Sequence, residues 1–311
     1  MTDAAALRSE AAALAIGPAW LGRRFGRHRL AVVGAILLVI LAGLAALAPA
    51  LARWLGIDPG DVDLYHRFAG PSAAHVLGTD ELGRDELMRL LLGGRVSLSI
   101  GFAAAMIAAI LGTAIGLPAG YLGGRLDALL MRFTDGVIAL PLLPLLVVLA
   151  AIDLRKLGLP DSFVDSESAD YYRIVAIVAL VGWTTVARLV RGAALSLRES
   201  TFVRAAEAMG ASGWRIMIRH ILPNVASPII VATTLSIGNT ILFESVLSFL
   251  GLGIQPPVSS WGNMMTDAQE LVWIDPALAL YPGLLIFVTV IAFNFLGDGL
   301  QDALDPRAAG R

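Results

Sequence analysis

Side chains that could carry out chemistry are scarce in this chain. It contains no cysteine, which excludes disulfides, thiolate metal sites and cysteine nucleophiles. The histidines, four in all, lie far apart and show no zinc-ligand spacing. Lys156 is the sole lysine and follows an arginine, so the chain lacks the Gly-Lys pair of a Walker A phosphate loop. We therefore predict no catalytic residue, no metal ligand and no cofactor in this chain.

The polar residues that remain as candidates lie within apolar sequence. Glu244 is the clearest case, because a carboxylate in a membrane span is costly and marks a functional position by default. Asn239 and Thr240 precede it, and positions 240 and 244 share one face of a helix. This polar line indicates either the wall of a hydrophilic pathway or a hydrogen bond to a neighbouring helix, for example at Asn294.

The composition is that of a membrane protein. Of 311 residues 57% are hydrophobic and 15% charged, and the mean hydropathy is +0.75; soluble domains are about one quarter charged. A spanning helix needs about 20 mostly apolar residues. Six stretches qualify: 30–52, 96–119, 133–152, 174–190, 225–250 and 278–297. The leader before the first stretch is too long for a typical signal peptide, so we expect that helix to be retained.

The distribution of basic residues predicts the orientation of these spans. With the N-terminus inside, 15 of the 23 arginines and lysines fall on the inner side, as the positive-inside rule requires. Both tails, 1–29 and 301–311, are then cytoplasmic, as are residues 191–224, whereas 53–93 form an outer segment. Asp135 and Arg132, near the inner start of the third span, are expected to form a polar cluster there, with a substrate contact as the alternative.

Small residues and prolines give more local predictions. A stripe of small residues recurs every fourth position in the second span: Ala104, Ala108, Gly112, Gly116 and Gly120. In lipid such a stripe lets helix backbones approach closely, although the general alanine and glycine content of the chain explains the pattern equally well. Pro141 and Pro144 in the third span, and Pro118 in the second, predict kinks or broken turns.

The cytoplasmic sequence RAAEAMGASGWRIMIRHILPN, residues 204–224, predicts two short helices. Each has apolar residues at helical spacing: Phe202, Ala205, Ala206 and Met209 in the first, and Trp214, Met217, Ile218 and Ile221 in the second. Gly210 suits the left-handed residue that ends the first helix, Ser212 suits the cap of the second, and Pro223 suits its end. Arg215 and Arg219 lie away from the second stripe.

The prediction is thus a helix–glycine–helix hairpin over residues 200–224, apolar on one side and basic on the other. Such a hairpin could lie in the lipid headgroups with its arginines on anionic lipid. It could equally dock into a partner protein. Periodicity alone does not separate these two hypotheses.

The spacing of particular residues resembles a known family. Ala205, Ala206, Gly210, Leu222 and Pro223 match the EAA loop of bacterial ABC importer permeases. Longer segments resemble the dipeptide, oligopeptide and nickel permeases, in particular the subunit with a short first outer loop. They are HVLGTDELGRDELMRLLLGGRVSLSIG at 75–101, AGYLGGRLDALLMRFTD at 119–135, ARLVRGAALSLRE at 187–199, RHILPN at 219–224, ESVLSFLGLGIQPPVSSWGNM at 244–264 and AFNFLGDGLQDALDPR at 292–307.

The resemblance implies an all-α fold of six transmembrane helices, the type I ABC importer permease architecture, with the transmembrane domain at 94–300. It also implies the partners: a homologous second permease, two cytoplasmic ABC ATPase subunits and an extracytoplasmic solute-binding protein. The hairpin would be the element that docks on an ATPase. The residues implied in coupling are Arg204, Ala205, Ala206, Glu207, Gly210, Arg215, Arg219, Leu222 and Pro223.

The expected substrates are dipeptides or oligopeptides, with nickel or another small solute as the alternative. A secondary transporter is a further alternative, but the inverted repeat typical of that class is not evident between 30–152 and 174–297. An intramembrane enzyme would need paired carboxylates or a nucleophile with its base, and the spans show neither.

The chain departs from the family pattern at the hairpin and in an outer loop. The usual leading glutamate is Arg204 here, and Glu207 stands where a basic or neutral residue is common, so this pair is reversed in sign. The loop at 153–173 is longer than usual, and either a solvated loop or contact with a partner explains it. The segment WGNMMTDAQELVW at 261–273 is expected to form a helix over the pore mouth or an interfacial anchor.

Overall fold

The computed structural model describes residues 24–58, 60–166, 168–266 and 272–304. Residues 1–23 and 305–311, which make up most of the two predicted tails, lie outside this description. The fold is all-α. Its principal helices are α1 (Arg29–Leu55), α2 (Glu86–Leu122), α3 (Gly124–Ala139), α4 (Leu142–Ala150), α5 (Ala169–Arg198), α6 (Thr201–Ala208), α7 (Gly213–Phe249) and α8 (Ala277–Leu304).

The helices match the six predicted spans, with one of them broken. Five helices are long and apolar enough to cross a membrane, namely α1, α2, α5, α7 and α8, and α3 with α4 makes a sixth that bends by 86°. The bend lies at Leu140 and Pro141, where the residue before proline is extended, with ψ of 136°. The kink predicted at Pro141 is therefore confirmed. Pro144 lies in the first turn of α4, where its missing N–H is not needed.

Helix α2 is longer than predicted at both ends. It begins at Glu86, so the first turns of this helix belong to what was predicted as an outer segment, and it continues through Pro118 to Leu122. The break expected near Pro118 is therefore absent. The chain turns instead at Gly123 and Gly124, both at positive φ (66° and 59°), a region that glycine enters without a steric penalty.

The small-residue stripe of α2 lies against α5. Gly112, Gly116 and Gly120 are buried, and a Cβ atom on any of them would come within 2.6 Å of a carbonyl oxygen of α5. The three oxygens belong, in order, to Trp183, Ala187 and Arg191. Because those residues are also four apart, the two backbones lie along each other for two turns. The close approach predicted from the stripe is confirmed.

Loops cover the end of the bundle where α2 begins. Asp85 caps α2 by accepting from the backbone N–H of Met88 (2.8 Å), and its other oxygen lies 3.0 Å from Nδ1 of His75. Asp80 is buried and pairs with Arg84 at 2.7 Å and with Arg89. We call this the cap end, and the opposite end, where α6 lies, the hairpin end.

The long loop between α4 and α5 is partly ordered by short helical turns and ion pairs. Single turns form at Leu154–Leu157 and Asp161–Val164. Arg155 lies 3.5 Å from Asp161 and also bonds Asp165, and the bond to Asp165 raises the pKa of the guanidinium. All three side chains are largely exposed, so these pairs contribute little stability.

The glycine stripe generates a stability prediction. Gly116→Ala places a methyl group against the carbonyl oxygen of Ala187, so α2 and α5 must separate, at a cost of about 1–3 kcal/mol. We expect a lower thermal midpoint for the detergent-purified protein. Gly43→Ala is the control, because a Cβ at Gly43 of α1 meets no atom within 4 Å. Equal midpoints for the two variants would show that the α2–α5 contact tolerates an added methyl group.

Candidate functional site

The hairpin turns at Gly210, as its sequence predicts. Gly210 has φ of 81°, which confirms the left-handed conformation. Its N–H donates to Glu207 O (2.9 Å) and that of Ala211 donates to Ala206 O (3.0 Å), the bond pair of a Schellman motif. Ser212 occupies the cap position of α7, but its side chain makes no capping hydrogen bond. Its predicted capping role is therefore wrong.

The buried face of the hairpin matches the predicted stripes only in part. One apolar cluster joins the hairpin to Leu117 and Tyr121 of α2 and to Val190 and Ala194 of α5. The hairpin contributes Val203, Ala206, Ile216, Met217 and Ile221 to this cluster. Of the predicted stripes, Ala206, Met217 and Ile221 are thus buried, whereas the others are exposed: Phe202, Ala205, Met209, Trp214 and Ile218. Helical periodicity fits more than one face, and here close packing on α2 and α5 selects the face that carries Ala206.

Pro223 does not end the second helix, contrary to prediction. Helix α7 runs unbroken from Gly213 to Phe249, with a π-helical turn at Met217–Ile221 in which Leu222 N–H donates to Met217 O. The wider turn shifts the hydrogen-bond register just before Pro223, so the missing proline N–H does not force a break. The side chain of Asn224 donates to the carbonyl of His220 (2.6 Å). The hairpin and a membrane span thus share one continuous helix.

The charges of the hairpin fall into two groups. Arg204 donates to Glu199 (2.6 Å), and this hydrogen bond lowers the pKa of the Glu199 carboxyl. Glu207 accepts from the hydroxyl of Tyr121 (3.0 Å). Arg215 and Arg219 are exposed, and they line a groove of about 410 Å³ between the two helices of the hairpin.

The nine residues implied in coupling lie mostly at the hairpin surface. Ala206 is buried and Leu222 half-buried. The others are exposed: Arg204, Ala205, Glu207, Gly210, Arg215, Arg219 and Pro223. Met209, which is 82% exposed, also lines the groove and is a surface residue that the coupling set omitted. The hairpin therefore presents an apolar side chain beside a pair of arginines.

A second candidate site is a cavity of about 480 Å³ between α5, α7 and the α3–α4 bend. Its polar lining comes from two helices: Thr184, Thr185 and Arg188 of α5, and Ser236, Asn239 and Thr240 of α7. The bend supplies an apolar wall that includes Ile138 and Leu142. Asn239 and Thr240, two of the three predicted pathway residues, thus lie at one cavity.

Glu244, the third predicted pathway residue, lies elsewhere. Its side chain is fully buried and accepts hydrogen bonds from Ser97 of α2 (2.9 Å) and from Ser248 (2.8 Å), with Ser245 at 3.4 Å. Asn294, the partner considered from sequence, is exposed. Glu244 therefore joins α7 to α2, and the polar line inferred from positions 240 and 244 does not continue along the cavity.

The hydroxyls around Glu244 also hold the segment that follows α7. Ser97 Oγ accepts from Trp261 N–H (3.2 Å), and Ser248 Oγ accepts from Ile254 N–H (3.1 Å). The Trp261 ring is buried, and its Nε1 donates to Leu90 O (2.9 Å). Residues 250–266, which we call the cap-end segment, are thereby fixed to α2 and α7.

The cap-end segment contains a single 3₁₀ turn, Asn263–Met265, where a helix or an anchor was predicted. Residues 267–271 of that predicted stretch lie outside the described residues. Sequence reasoning missed Ser97 because a serine in an apolar span gives no signal until its partner on a distant helix is known.

The polar cluster predicted at Asp135 and Arg132 has a different partner. Asp135 accepts from Nη2 of Arg188 (2.5 Å), which brings α3 and α5 together at the edge of the cavity. Nearer the hairpin end, both oxygens of Asp127 accept from Arg191, at 2.5 and 2.7 Å. Arg132 is exposed and forms no ion pair among the described residues. The sequence located the cluster but not its pairing.

The Glu244 network generates a prediction about the cap-end segment. Ser97→Ala removes one donor to the buried carboxylate and the acceptor of Trp261 N–H, so we expect a loss of about 1–3 kcal/mol and faster proteolysis within 250–266. Ser245→Ala, which removes only the 3.4 Å contact, is the control. Thermal midpoints and limited proteolysis of the purified protein measure both effects. Equal behaviour of the two variants would contradict this role for Ser97.

Comparisons with known proteins agree with these features. Residues 112–310 match the model of the binding-protein-dependent transport system inner membrane component, and residues 19–71 match the N-terminal transmembrane domain of oligopeptide transport permease C. A glutathione transport system permease protein of Pectobacterium atrosepticum is 40% identical over 92% of this chain and 89% of its own length.

Two further relatives cover the chain similarly. The corresponding glutathione permease of Escherichia coli is 40% identical over 93% of this chain and 90% of its own. A dipeptide transport system permease protein of Alkalihalophilus pseudofirmus is 39% identical over 92% of this chain and 88% of its own. The chain therefore belongs to the family of binding-protein-dependent transport system inner membrane components and is a multi-pass permease subunit of an ABC importer, in which ATP hydrolysis belongs to a separate subunit.

Proposed function

We propose that this permease imports dipeptides or oligopeptides, forming half of a translocation pathway with a homologous second permease. Two cytoplasmic ATPase subunits would drive it and an extracytoplasmic binding protein would supply the substrate. The family membership and the peptide substrates named for its relatives support this assignment. Uptake of labelled alanyl-alanine by cells that contain the complete importer tests it. Uptake of nickel or another solute in place of peptides would overturn the substrate class.

The observation that carries the coupling proposal is the continuity of α7. Its first turns form half of the hairpin, and Asn239 and Thr240 at the cavity lie on the same unbroken helix. A partner that tilts the hairpin therefore moves one wall of the cavity directly, without an intervening hinge. The coupling surface would consist of Arg204, Ala205, Ala206, Glu207, Gly210, Arg215, Arg219, Leu222 and Pro223.

The coupling proposal is tested at Gly210. A Cβ there meets no atom within 4 Å, so the cost of substitution is a backbone cost that arises from φ of 81°. Gly210→Val should cost about 1 kcal/mol or more and change the angle between α6 and α7. We expect near-normal membrane abundance, with weaker retention of the ATPase on the purified complex and loss of substrate-stimulated ATP hydrolysis.

Gly210→Asn is the matched variant, because asparagine tolerates the left-handed region. It should retain more coupling than Gly210→Val. If Gly210→Val leaves uptake and ATPase retention at wild-type levels, the hairpin is not the coupling element. If it keeps the ATPase but detaches the hairpin from anionic vesicles, the lipid-surface hypothesis is favoured. A collapse of membrane abundance would assign Gly210 to folding.

The proposed orientation places both termini and the hairpin end in the cytoplasm, with the cap end outside. Its support is the 15 of 23 basic residues on the inner side. Reporter fusions after Arg311 and within 153–173 should report opposite sides of the membrane. A fusion after Ser212 serves as an internal control, since the hairpin should share the side of Arg311. Reporters on one side at both Arg311 and 153–173 would contradict the six-span topology.

A further inference from the structure

We propose that Arg188, with the cavity beside it, binds the carboxylate of the transported peptide, and that Asp135 competes with the substrate for this arginine. The inference rests on the proposed peptide substrate and adds to it a site in the membrane domain itself. Its basis is the arrangement of polar side chains on α5 and α7 and the geometry of one ion pair.

The polar lining of the cavity converges from two helices. Thr185 and Arg188 are exposed and three residues apart on α5, and Asn239 lies three residues after Ser236 on α7. Spacing of this kind places each pair on one helix face. Polar side chains within membrane spans are costly in lipid and generally face a protein interior or an aqueous cavity. The two helices therefore present their hydrogen-bonding groups to one shared space.

The Arg188–Asp135 pair is open to a second ligand. The contact joins one nitrogen, Nη2, to one oxygen at 2.5 Å, and the side chains are 50% and 57% exposed. A guanidinium has five donor hydrogens in a planar fork that matches a carboxylate. Arg188 therefore retains donors for a second carboxylate while Asp135 is in place, and its full fork is available once Asp135 moves away.

The neighbouring pair, Arg191 with Asp127, shows the contrasting arrangement. Nε and Nη2 of Arg191 donate to the two oxygens of Asp127, so both sides of the pair are engaged. The side chains are less exposed, at 34% and 17%, and Arg191 is not among the residues that line the cavity. Two adjacent arginines of α5 thus meet aspartates of α3, and only Arg188 faces the cavity.

Competition by Asp135 fits the requirements of transport. A site on a pathway must bind well enough to admit the substrate and weakly enough to release it. An arginine without a counter-ion would hold a carboxylate through two parallel charge-assisted hydrogen bonds. Asp135 offers Arg188 a replacement partner, so the free energy lost when the substrate leaves is partly recovered.

The rest of the cavity suits the remainder of a peptide. The volume of about 480 Å³ falls in the range of small-molecule sites. The exposed Asn239 amide and the Thr185 hydroxyl can bond peptide N–H and C=O groups, which all peptides share. The wall formed by the α3–α4 bend, with Ile138 and Leu142, is apolar and offers no hydrogen bond that would select a particular side chain. Recognition by terminus and backbone allows one site to accept many sequences.

Direct binding tests the assignment without the selectivity of the binding protein. The purified complex of permeases and ATPases, free of binding protein, is titrated with alanyl-alanine and with its C-terminal amide. The wild type should bind the free acid about tenfold or more tightly than the amide, as expected for a charge-assisted pair. Arg188→Gln should abolish this difference, and Asp135→Asn should increase affinity for the acid and slow its release.

Control variants separate binding from structure. Arg191→Gln, at the bidentate pair, should leave the acid-to-amide ratio at the wild-type value. The charge exchange Asp135→Arg with Arg188→Asp restores an ion pair between α3 and α5 but moves the positive charge off α5. If the pair were only a structural tie, the exchange would restore the wild-type ratio; a carboxylate site at Arg188 predicts that it does not.

The outcomes distinguish this inference from the proposed function. Equal affinity of the wild type for acid and amide, no binding of either, or an unchanged ratio in Arg188→Gln overturns the role of Arg188. If cells with the complete importer still take up alanyl-alanine in that case, the peptide substrate stands. If those cells take up neither alanyl-alanine nor its C-terminal amide, the substrate class itself is wrong.

Discussion

The contact between α2 and α5 is the constraint on which the rest of the structure depends. Glycines 112, 116 and 120 bring the two backbones so close that any side chain would meet a carbonyl oxygen. Lipid offers apolar side chains the same surroundings as a neighbouring helix, so close packing must supply the association energy. The hairpin packs against this pair of helices at Tyr121 and Val190, and the pairing also fixes the direction in which Arg188 faces.

Helix α7 joins the functional regions that lie on this base. From one end to the other it carries the second half of the hairpin, the polar wall of the cavity, and Glu244 beneath the cap-end segment. A rigid helix of 37 residues transmits a displacement along its length, whereas a break at Pro223 would have separated the hairpin from the membrane. The π-helical turn is therefore central to the coupling proposal, because it lets the proline remain inside a continuous helix.

Sequence reasoning succeeded at several positions where a residue determines its own backbone, although it was wrong about Pro118, Pro223 and the cap at Ser212. It mostly failed where a distant partner decides. The six apolar spans, the left-handed Gly210 and the bend at Pro141 follow from local chemistry, and each was found. The buried side of α6 depends on how Ala206 meets two other helices, and the partner of Glu244 is 147 residues away on α2. Periodicity carries no information about such pairings. Likewise Asp135 and Arg132 were recognised as polar from the sequence. The ion pair between Asp135 and Arg188 could be assigned only from the structure, because it depends on how α3 lies against α5.

The two charged residues of α6 also differ in whether their partner is local or distant in sequence. Glu207 is tied to Tyr121 at the end of α2, and Arg204 is tied to Glu199 just after α5. Each of these two charged side chains thus has a hydrogen-bonding partner at or directly after an end of the α2–α5 pair. Arg215 and Arg219, in contrast, form no ion pair among the described residues and lie on α7. The two hairpin arginines without an ion pair are therefore on α7, the helix that the coupling proposal requires to move, whereas Arg204 and Glu207, each with a hydrogen-bonding partner, are on α6.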